Sequence, residues 1–208
     1  MSYKVVILTA GMGSRLNHFT KNNVKASLNI ENIDNYYVEA LLKDIKINKK
    51  LKVAIDSGNG VAGPIALEAY KKAGFEVIGL YCDVDGNFPN HHPNPSDPKN
   101  LQDLISCVKE NKCDIGIAFD GDGDRCLIID NLGKVLWPDK QMMIYAKDIL
   151  PTNKNEKIVY DVKSSKNLAN IIEEYGGTPI MCRTGHSYIK MKMKEINAIL
   201  GGEMSGHI

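Results

Sequence analysis

The sequence has 208 residues, of which 43% are hydrophobic and 25% are charged, and its formal net charge is +1. A disordered chain is excluded, because such chains combine low hydrophobicity with high net charge. The charge balance excludes a broad basic surface for nucleic acid, and no apolar run approaches the roughly 18–20 residues of a membrane helix. We therefore expect a globular protein of one or two domains that binds neither nucleic acid nor membrane.

Apolar runs alternate with amphipathic stretches along the chain, which predicts an α/β protein. Up to residue 150 we expect helices at 36–47, 64–73, 101–110 and 140–150, and strands at 4–9, 51–55, 76–81, 114–119, 126–130 and 135–137. Between these elements, residues 82–98 contain four prolines and form a long loop. Long loops without periodicity are often functional.

A polar linker at 151–156 separates this part from a second α/β unit, with expected strands at 157–161, 178–182 and 198–200 and helices at 167–175 and 187–195. The chain stops just after the glycine loop that leaves the last strand, so we expect this unit to be truncated. The predicted fold is thus α/β, with two successive mixed-sheet units. The predicted parts are a short strand and glycine loop at 1–34, a first domain at 35–150 and a partial second domain at 151–208.

The cysteines favour a reducing compartment. They are five in number and no CxxC pair occurs, so we expect buried free thiols rather than disulfides or a cysteine metal site. The apolar stretch at 5–8 is too short for a signal peptide. The expected location is the cytoplasm.

The strongest chemical signal is the segment FDGDGDR at 119–125, which follows a predicted buried strand. Glycines let the backbone curl so that the carboxylates of Asp120, Asp122 and Asp124 converge. Crowded carboxylates repel one another unless a cation neutralises them, and oxygen ligands favour Mg²⁺. Arg125 adjoins the trio and is a candidate phosphate ligand. A calcium EF-hand is excluded, because Arg125 stands where that loop needs glycine and Asn131 where it needs glutamate. A solvated acidic turn is the alternative.

The proline-rich loop contains the segment HHPNP at 91–95. Two adjacent histidines suggest a metal site, but neighbouring side chains on an extended chain point in opposite directions. We therefore expect His91 and His92 to have a structural role.

The segment RTGHSYIK at 183–190 places Gly185 before a predicted helix, where backbone amides favour anions. Arg183, His186 and Lys190 are expected to gather around that position as candidate substrate ligands. An ordinary helix cap is the alternative.

The segment GEMSGH at 202–207 carries polar side chains at alternate positions of a glycine-rich loop. Glu203, Ser205 and His207 supply acceptors and a donor suited to sugar hydroxyls, although by itself the pattern also fits an ordinary turn.

Together these segments resemble the phosphomannomutase/phosphoglucomutase family, the α-D-phosphohexomutases. The matching segments are KVAIDSGNGVAGP, DGNFPNHHPNP, IGIAFDGDGDRCLIID, DVKSS, RTGHSYIK and GEMSGH. The resemblance implies parts of the second and third domains of a four-domain enzyme. Such enzymes move a phosphoryl group between the 1- and 6-positions of a hexose through a bisphosphate intermediate. Mannose or glucose 1- or 6-phosphate is the implied substrate.

The same resemblance implies a role for each site residue. Asp120, Asp122 and Asp124 would bind Mg²⁺, and Arg125 would contact a phosphoserine or the sugar phosphate. Lys163 and His186 would serve proton transfer and substrate contact. Glu203 and Ser205 would hold the sugar 3- and 4-hydroxyls, with His207 beside them.

Two departures limit what the resemblance implies about activity. Family members carry a phosphorylated serine in an SHNP-type loop, and neither this loop nor a fourth domain occurs in the sequence. Phosphoryl transfer needs donor, metal and acceptor held together, so we do not expect turnover by this chain alone. Three functions stay open: an incomplete mutase, a non-catalytic module that binds sugar phosphate and Mg²⁺ or supports assembly, and a remnant of a fused enzyme. Uncovered faces of a half domain predict self-association.

The first residues are similar to the opening of sugar-phosphate nucleotidyltransferases. The segment KVVILTAGMGSRLNHFTKNNVKASLNI matches that pattern except at two positions. In such a loop Gly11 and Gly13 bring backbone amides to nucleotide phosphates, Arg15 holds the triphosphate and Lys25 lies over the reacting phosphates. The remainder of a nucleotidyltransferase does not follow, so we expect no such activity. A joined descendant of two enzymes of nucleotide-sugar synthesis would account for the pattern.

Overall fold

The computed structural model describes residues 33–43, 45 and 47–208. The predicted strand at 4–9 and the nucleotide-like residues Gly11, Gly13, Arg15 and Lys25 lie outside these residues. The helices are α1 (Ile33–Lys43), α2 (Ala62–Lys72), α3 (Gln102–Glu110), α4 (Pro138–Ile149), α5 (Lys166–Glu174) and α6 (His186–Ile196). The strands are β1 (Lys52–Asp56), β2 (Glu76–Leu80), β3 (Ile115–Phe119), β4 (Cys126–Asp130), β5 (Val135–Leu136), β6 (Lys157–Asp161), β7 (Thr178–Cys182) and β8 (Leu200–Gly202).

The first sheet has five strands in the order β2-β1-β3-β4-β5. β1 is parallel to β2 and β3, because helices α2 and α3 carry the chain back across the sheet between these strands. β3, β4 and β5 are antiparallel neighbours joined by short turns. The predicted mixed α/β sheet is thus confirmed for the first unit.

Both faces of this sheet are covered. Side chains that alternate along β1 and β3 point to opposite faces, as the two-residue period of a strand requires. Val53 and Ile117 belong to the core cluster that includes Ala66 and Tyr70 of α2. Ala54 and Ala118 pack with the residues of α3. The β1 and β3 ends are therefore fixed from above and below, which holds the loops that leave them.

The second sheet has the order β7-β6-β8, and both of its strand pairs are parallel. It differs in this respect from the mixed sheet expected for the second unit, because helices α5 and α6 connect its three strands. Its core joins two buried α4 side chains and the residue that follows α4 to β6 and α5; the members are Met142, Ala146, Leu150, Ile158, Tyr160, Leu168 and Ile172. This packing favours a boundary before α4 over one after residue 150.

The expected elements of the described chain are present with small shifts at their ends. The shift with a chemical consequence is at the last strand, which we expected at 198–200 and which spans Leu200–Gly202. Glu203 consequently follows the strand directly. Within the described residues, none of the helices has the length and apolarity needed to cross a membrane.

Candidate active site

The acidic loop is the hairpin connection between β3 and β4. Gly123 has a φ of 74°, a conformation that favours glycine, and its N–H donates to the carbonyl of Asp120 at 3.2 Å. This turn brings one carboxylate oxygen each of Asp120, Asp122 and Asp124 within 4.8 Å of one another. Asp120 is buried and the other two are exposed. The convergence that the sequence predicts is therefore present, and the loop has the donor set of a site for a hard cation.

Arg125 closes the base of this loop. Its backbone N–H donates to Asp120 Oδ1 at 3.0 Å, and its Nε lies 2.5 Å from Asp120 Oδ2. Arg125 Nε is also 3.7 Å from Asp124 Oδ1. One guanidinium thus neutralises part of the charge of two of the three carboxylates, and it fixes the orientation of the buried one. The remaining negative charge faces solvent at Asp122 and Asp124.

The loop that follows β1 supports the acidic hairpin. The N–H of Val61 donates to the carbonyl of Gly121 at 3.1 Å. A Cβ at Gly60 would lie 2.7 Å from that same carbonyl oxygen and 2.9 Å from the Gly121 Cα. On its other side Gly121 faces Pro93 of the proline-rich loop, whose Cγ would lie 3.2 Å from an added Cβ. The two flanking loops therefore hold the position of the acidic hairpin by direct contact.

A buried acid–histidine pair anchors the proline-rich loop, and the sequence did not reveal it. His91 Nε2 lies 3.1 Å from Asp56 Oδ2, and Asp56 also accepts from the N–H of Gly58 at 2.9 Å. Burial raises the pKa of Asp56, while the Gly58 hydrogen bond and the imidazole oppose that rise. His92 instead contacts the ring of Phe88 edge to face. The two histidines have separate partners, as their expected structural role requires.

Glu203 is the centre of the second polar loop and is only 4% exposed. Its Oε2 accepts from the N–H of Gly185 at 2.7 Å. Its Oε1 accepts from Ser205 Oγ at 2.5 Å and lies 2.8 Å from His207 Nδ1. Burial alone would raise the pKa of Glu203, but the hydrogen bonds from Ser205, Gly185 and His207 outweigh it and lower the pKa.

The start of α6 binds an anion, as its glycine predicts, but that anion is the Glu203 carboxylate. The guanidinium carbon of Arg183 lies 3.2 Å from the ring centroid of Tyr188. The ring of His186 lies 5.0 Å from the ring of His207, measured between centroids, and the two ring planes are tilted by 46°. Lys190 is exposed on α6. The amide of Gly185 is thus occupied by an internal carboxylate, and the roles of Arg183, His186 and Lys190 as substrate ligands stay predictions.

The turn after β6 opens at the same edge of the second sheet as Glu203, since both strands are parallel. Asp161 is buried and accepts from Ser164 Oγ at 2.8 Å and from Thr184 Oγ1 at 3.1 Å. These hydrogen bonds join the β6 turn to the segment before α6. Lys163 is exposed and lies on the turn between Asp161 and Ser164. Its role in proton transfer stays a prediction.

One contact brings the acidic hairpin and the second polar loop together. His207 Nε2 lies 3.0 Å from Asp124 Oδ2, although the two residues are 83 positions apart in the chain. The other nitrogen of the same ring faces Glu203. Neutral imidazole has a single N–H, so both contacts are hydrogen bonds to carboxylates only when the ring is positively charged. The site is thus one continuous surface formed by both units.

Comparison with family models assigns this fold and site to a class. Residues 35–133 match the model of phosphoglucomutase/phosphomannomutase alpha/beta/alpha domain II. Residues 137–208 match the model of alpha/beta/alpha domain III of the same enzymes. The chain therefore belongs to the phosphoglucomutase/phosphomannomutase family.

Individual relatives agree with this assignment. The chain is 50% identical over 179 residues to a phosphomannomutase/phosphoglucomutase of Pseudomonas putida, covering 86% of this chain and 38% of that protein. It is 47% identical over 190 residues to a phosphoglucomutase of Neisseria meningitidis, covering 91% of this chain and 41% of the relative. A solved phosphoglucomutase/phosphomannomutase family structure from Burkholderia thailandensis has a TM-score of 0.82 at 48% identity, covering 84% of this chain and 38% of that one. The chain spans about two fifths of the length of these relatives.

Proposed function

We propose that this chain provides the cation-binding and sugar-binding surfaces of a phosphohexomutase, acting on mannose or glucose 1- or 6-phosphate. The observation that carries the proposal is the 3.0 Å contact between His207 Nε2 and Asp124 Oδ2. It joins the acidic hairpin to a loop whose polar side chains suit sugar hydroxyls. Phosphate and sugar recognition are therefore adjacent, as intramolecular phosphoryl transfer on a hexose requires.

The cation proposed for the acidic hairpin is Mg²⁺. Asp120, Asp122 and Asp124 offer three oxygen ligands within 4.8 Å of one another, the donor type that Mg²⁺ prefers. Two of the three are exposed, so a phosphate has access to the same place. When bound, the ion supplies charge neutralisation for phosphoryl oxygens.

The protein's own residues have separate tasks in this proposal. Arg125 orients Asp120 and presents its guanidinium to a phosphate beside the trio. Glu203 and Ser205 hold sugar hydroxyls, and the amide of Gly185 keeps the carboxylate in place. His186 is the proposed proton-transfer group, because a ring nitrogen of it lies within 4.8 Å of Glu203, and His207 contacts the sugar beside Glu203. Lys163 is the proposed further proton-transfer group.

None of these residues takes the role of the phosphoryl-donor serine, because the sequence contains no SHNP-type loop. We propose that binding of cation and sugar phosphate takes place on this chain, whereas turnover needs a phosphoserine supplied by additional chain. A non-catalytic binding or assembly module shares the same binding chemistry, and the turnover assay below separates the two.

The test combines calorimetric binding with an activity assay. We expect Asp122→Asn to weaken Mg²⁺ binding at least about tenfold, because a charged ligand is lost. We expect Glu203→Gln to weaken glucose 1-phosphate binding in saturating Mg²⁺ while leaving Mg²⁺ binding intact. Asp148→Asn is the matched control, since Asp148 is exposed on α4. Equal Mg²⁺ affinity in all variants would contradict the proposed cation site.

The turnover assay supplies mannose 1-phosphate, Mg²⁺ and hexose 1,6-bisphosphate to the purified chain. We expect no product, because no donor serine is present. Robust turnover would overturn the claim that the donor must come from elsewhere. The cytoplasm is the proposed location, supported by the free state of all five cysteines.

A further inference from the structure

A second cluster of potential metal ligands lies beside the acidic hairpin. It consists of His186, Glu203 and His207, each with one ligand atom within 4.8 Å of the others. Its chemistry differs from that of the acidic trio, because two of its three donors are imidazole nitrogens. Mg²⁺ prefers oxygen ligands, whereas imidazole with carboxylate suits Zn²⁺, Co²⁺ and Ni²⁺.

We propose that His186, Glu203 and His207 form a binding site for a borderline-soft divalent cation such as Zn²⁺, distinct from the acidic hairpin. In tetrahedral zinc sites with ligand bonds of about 2.0–2.1 Å, neighbouring ligand atoms are roughly 3.3 Å apart. Glu203 Oε1 and His207 Nδ1 are 2.8 Å apart, and the whole trio spans at most 4.8 Å. Small side-chain rotations therefore reach the required spacing.

The groups around the three ligands favour metal binding. His207 Nε2 lies 3.0 Å from Asp124 Oδ2, and a ring that keeps its single proton on this nitrogen offers the Nδ1 lone pair to a cation, which would replace the hydrogen bond between Nδ1 and Glu203. The N–H of Gly185 holds the second oxygen of Glu203 at 2.7 Å. Carboxylate–histidine–metal arrangements of this kind fix ring orientation and strengthen the ligand.

The position of the cluster leaves coordination sites open. His186 is exposed and His207 is half-buried, while Glu203 forms the buried floor. Three protein ligands with solvent access leave room for water or another oxygen ligand, as in open zinc sites. Because Glu203 and His207 also belong to the proposed sugar surface, a bound cation would compete with a hexose there. That consequence rests on the proposed function, whereas cation binding itself does not.

The experiment uses Co²⁺ as a spectroscopic probe on the full chain in saturating Mg²⁺, which occupies the oxygen site. We expect a visible absorption band of nitrogen-ligated Co²⁺ with wild type, and Zn²⁺ should abolish it by displacement. His186→Gln and His207→Gln should each weaken Co²⁺ binding at least about tenfold, because loss of a ligand costs no less than loss of an outer-shell partner.

His92→Gln is the control variant, since His92 contacts Phe88 and lies outside the cluster. It should bind Co²⁺ as wild type does. His186 is exposed, so its replacement leaves folding unchanged, which circular dichroism checks. Co²⁺ binding that survives both His186→Gln and His207→Gln, or that is lost in Asp122→Asn, overturns the proposal. Neither result alters the Mg²⁺ and glucose 1-phosphate titrations that test the proposed function.

Discussion

Glu203 is the residue on which most of the second loop depends. It is buried and accepts hydrogen bonds from three donors, two in its own loop and one from the backbone of Gly185 directly before α6. Removing its charge leaves a buried N–H and a hydroxyl facing a weaker acceptor, which costs about 1–3 kcal/mol.

We therefore expect Glu203→Gln to lower the free energy of unfolding by about 1–3 kcal/mol at neutral pH. The pKa of Glu203 is lowered in the folded protein, so the stabilisation is present above the ordinary glutamate pKa and is lost as pH falls through the lower folded value. The difference between wild type and variant should shrink below about pH 5. Urea unfolding as a function of pH measures it.

Glu174→Gln provides the control, because Glu174 is exposed on α5. A pH-independent difference between wild type and Glu203→Gln would contradict the electrostatic account and point to packing alone.

Sequence reasoning found the residues whose convergence is local and missed the pairings that depend on packing. The acidic trio lies within five positions and is bent by its own glycines, so the pattern sufficed. Asp56 and His91 are 35 positions apart, and His207 and Asp124 are 83 apart. No periodicity encodes such pairs, since they arise only when strand ends and loops meet. A buried acid after a strand and a histidine-rich loop were the available signals for the first pair.

At the scale of elements, the β1–α2 connection and the acidic hairpin are packed backbone against backbone. An added Cβ at Gly60 would lie 2.7 Å from the Gly121 carbonyl oxygen. Since backbone cannot rotate away as a side chain does, one of the two loops must move.

We expect Gly60→Ala to lower the free energy of unfolding by about 1–3 kcal/mol. It should also weaken Mg²⁺ binding, because displaced carboxylates no longer converge. Gly86→Ala is a matched control, as nothing lies within 4 Å of its added Cβ. Thermal unfolding and calorimetry measure both effects. Unchanged Mg²⁺ affinity in Gly60→Ala would show that the hairpin holds its shape without this contact.

The element pattern was predictable because hydrophobic periodicity and glycine positions are local signals. The mixed sheet expected for the second unit was wrong, although the expected order of strand, helix, strand, helix, strand already implied parallel pairing, because a helix between two strands carries the chain back across the sheet. The domain boundary expected at residue 150 stays a prediction. The polar segment 151–156, which follows α4, was predicted to be a linker between the domains, yet Met142 and Leu150 pack into the core of the second unit.

At the scale of the whole molecule, β7 lies at one end of the second sheet and exposes Met181 at 58%. Unpaired edge strands with apolar side chains are templates for association. We expect the sedimentation coefficient of the chain to rise with concentration, and Met181→Lys to reduce that rise. Val84→Lys is the control, since Val84 is equally exposed at 55% in a loop. A concentration-independent monomer would contradict this expectation.

The hydrogen bonds of Glu203 set a limit on how many partners it admits. A carboxylate has roughly four lone-pair positions, and Gly185, Ser205 and His207 take three of them. In the proposed sugar site, one hydroxyl of the ligand can donate to the remaining lone-pair position, whereas a second hydroxyl must displace the hydrogen bond of Ser205 or His207. Sugar binding in the proposed site is then an exchange of hydrogen-bond donors on Glu203. The shape of the sugar affects its affinity more than the strength of any single hydrogen bond does.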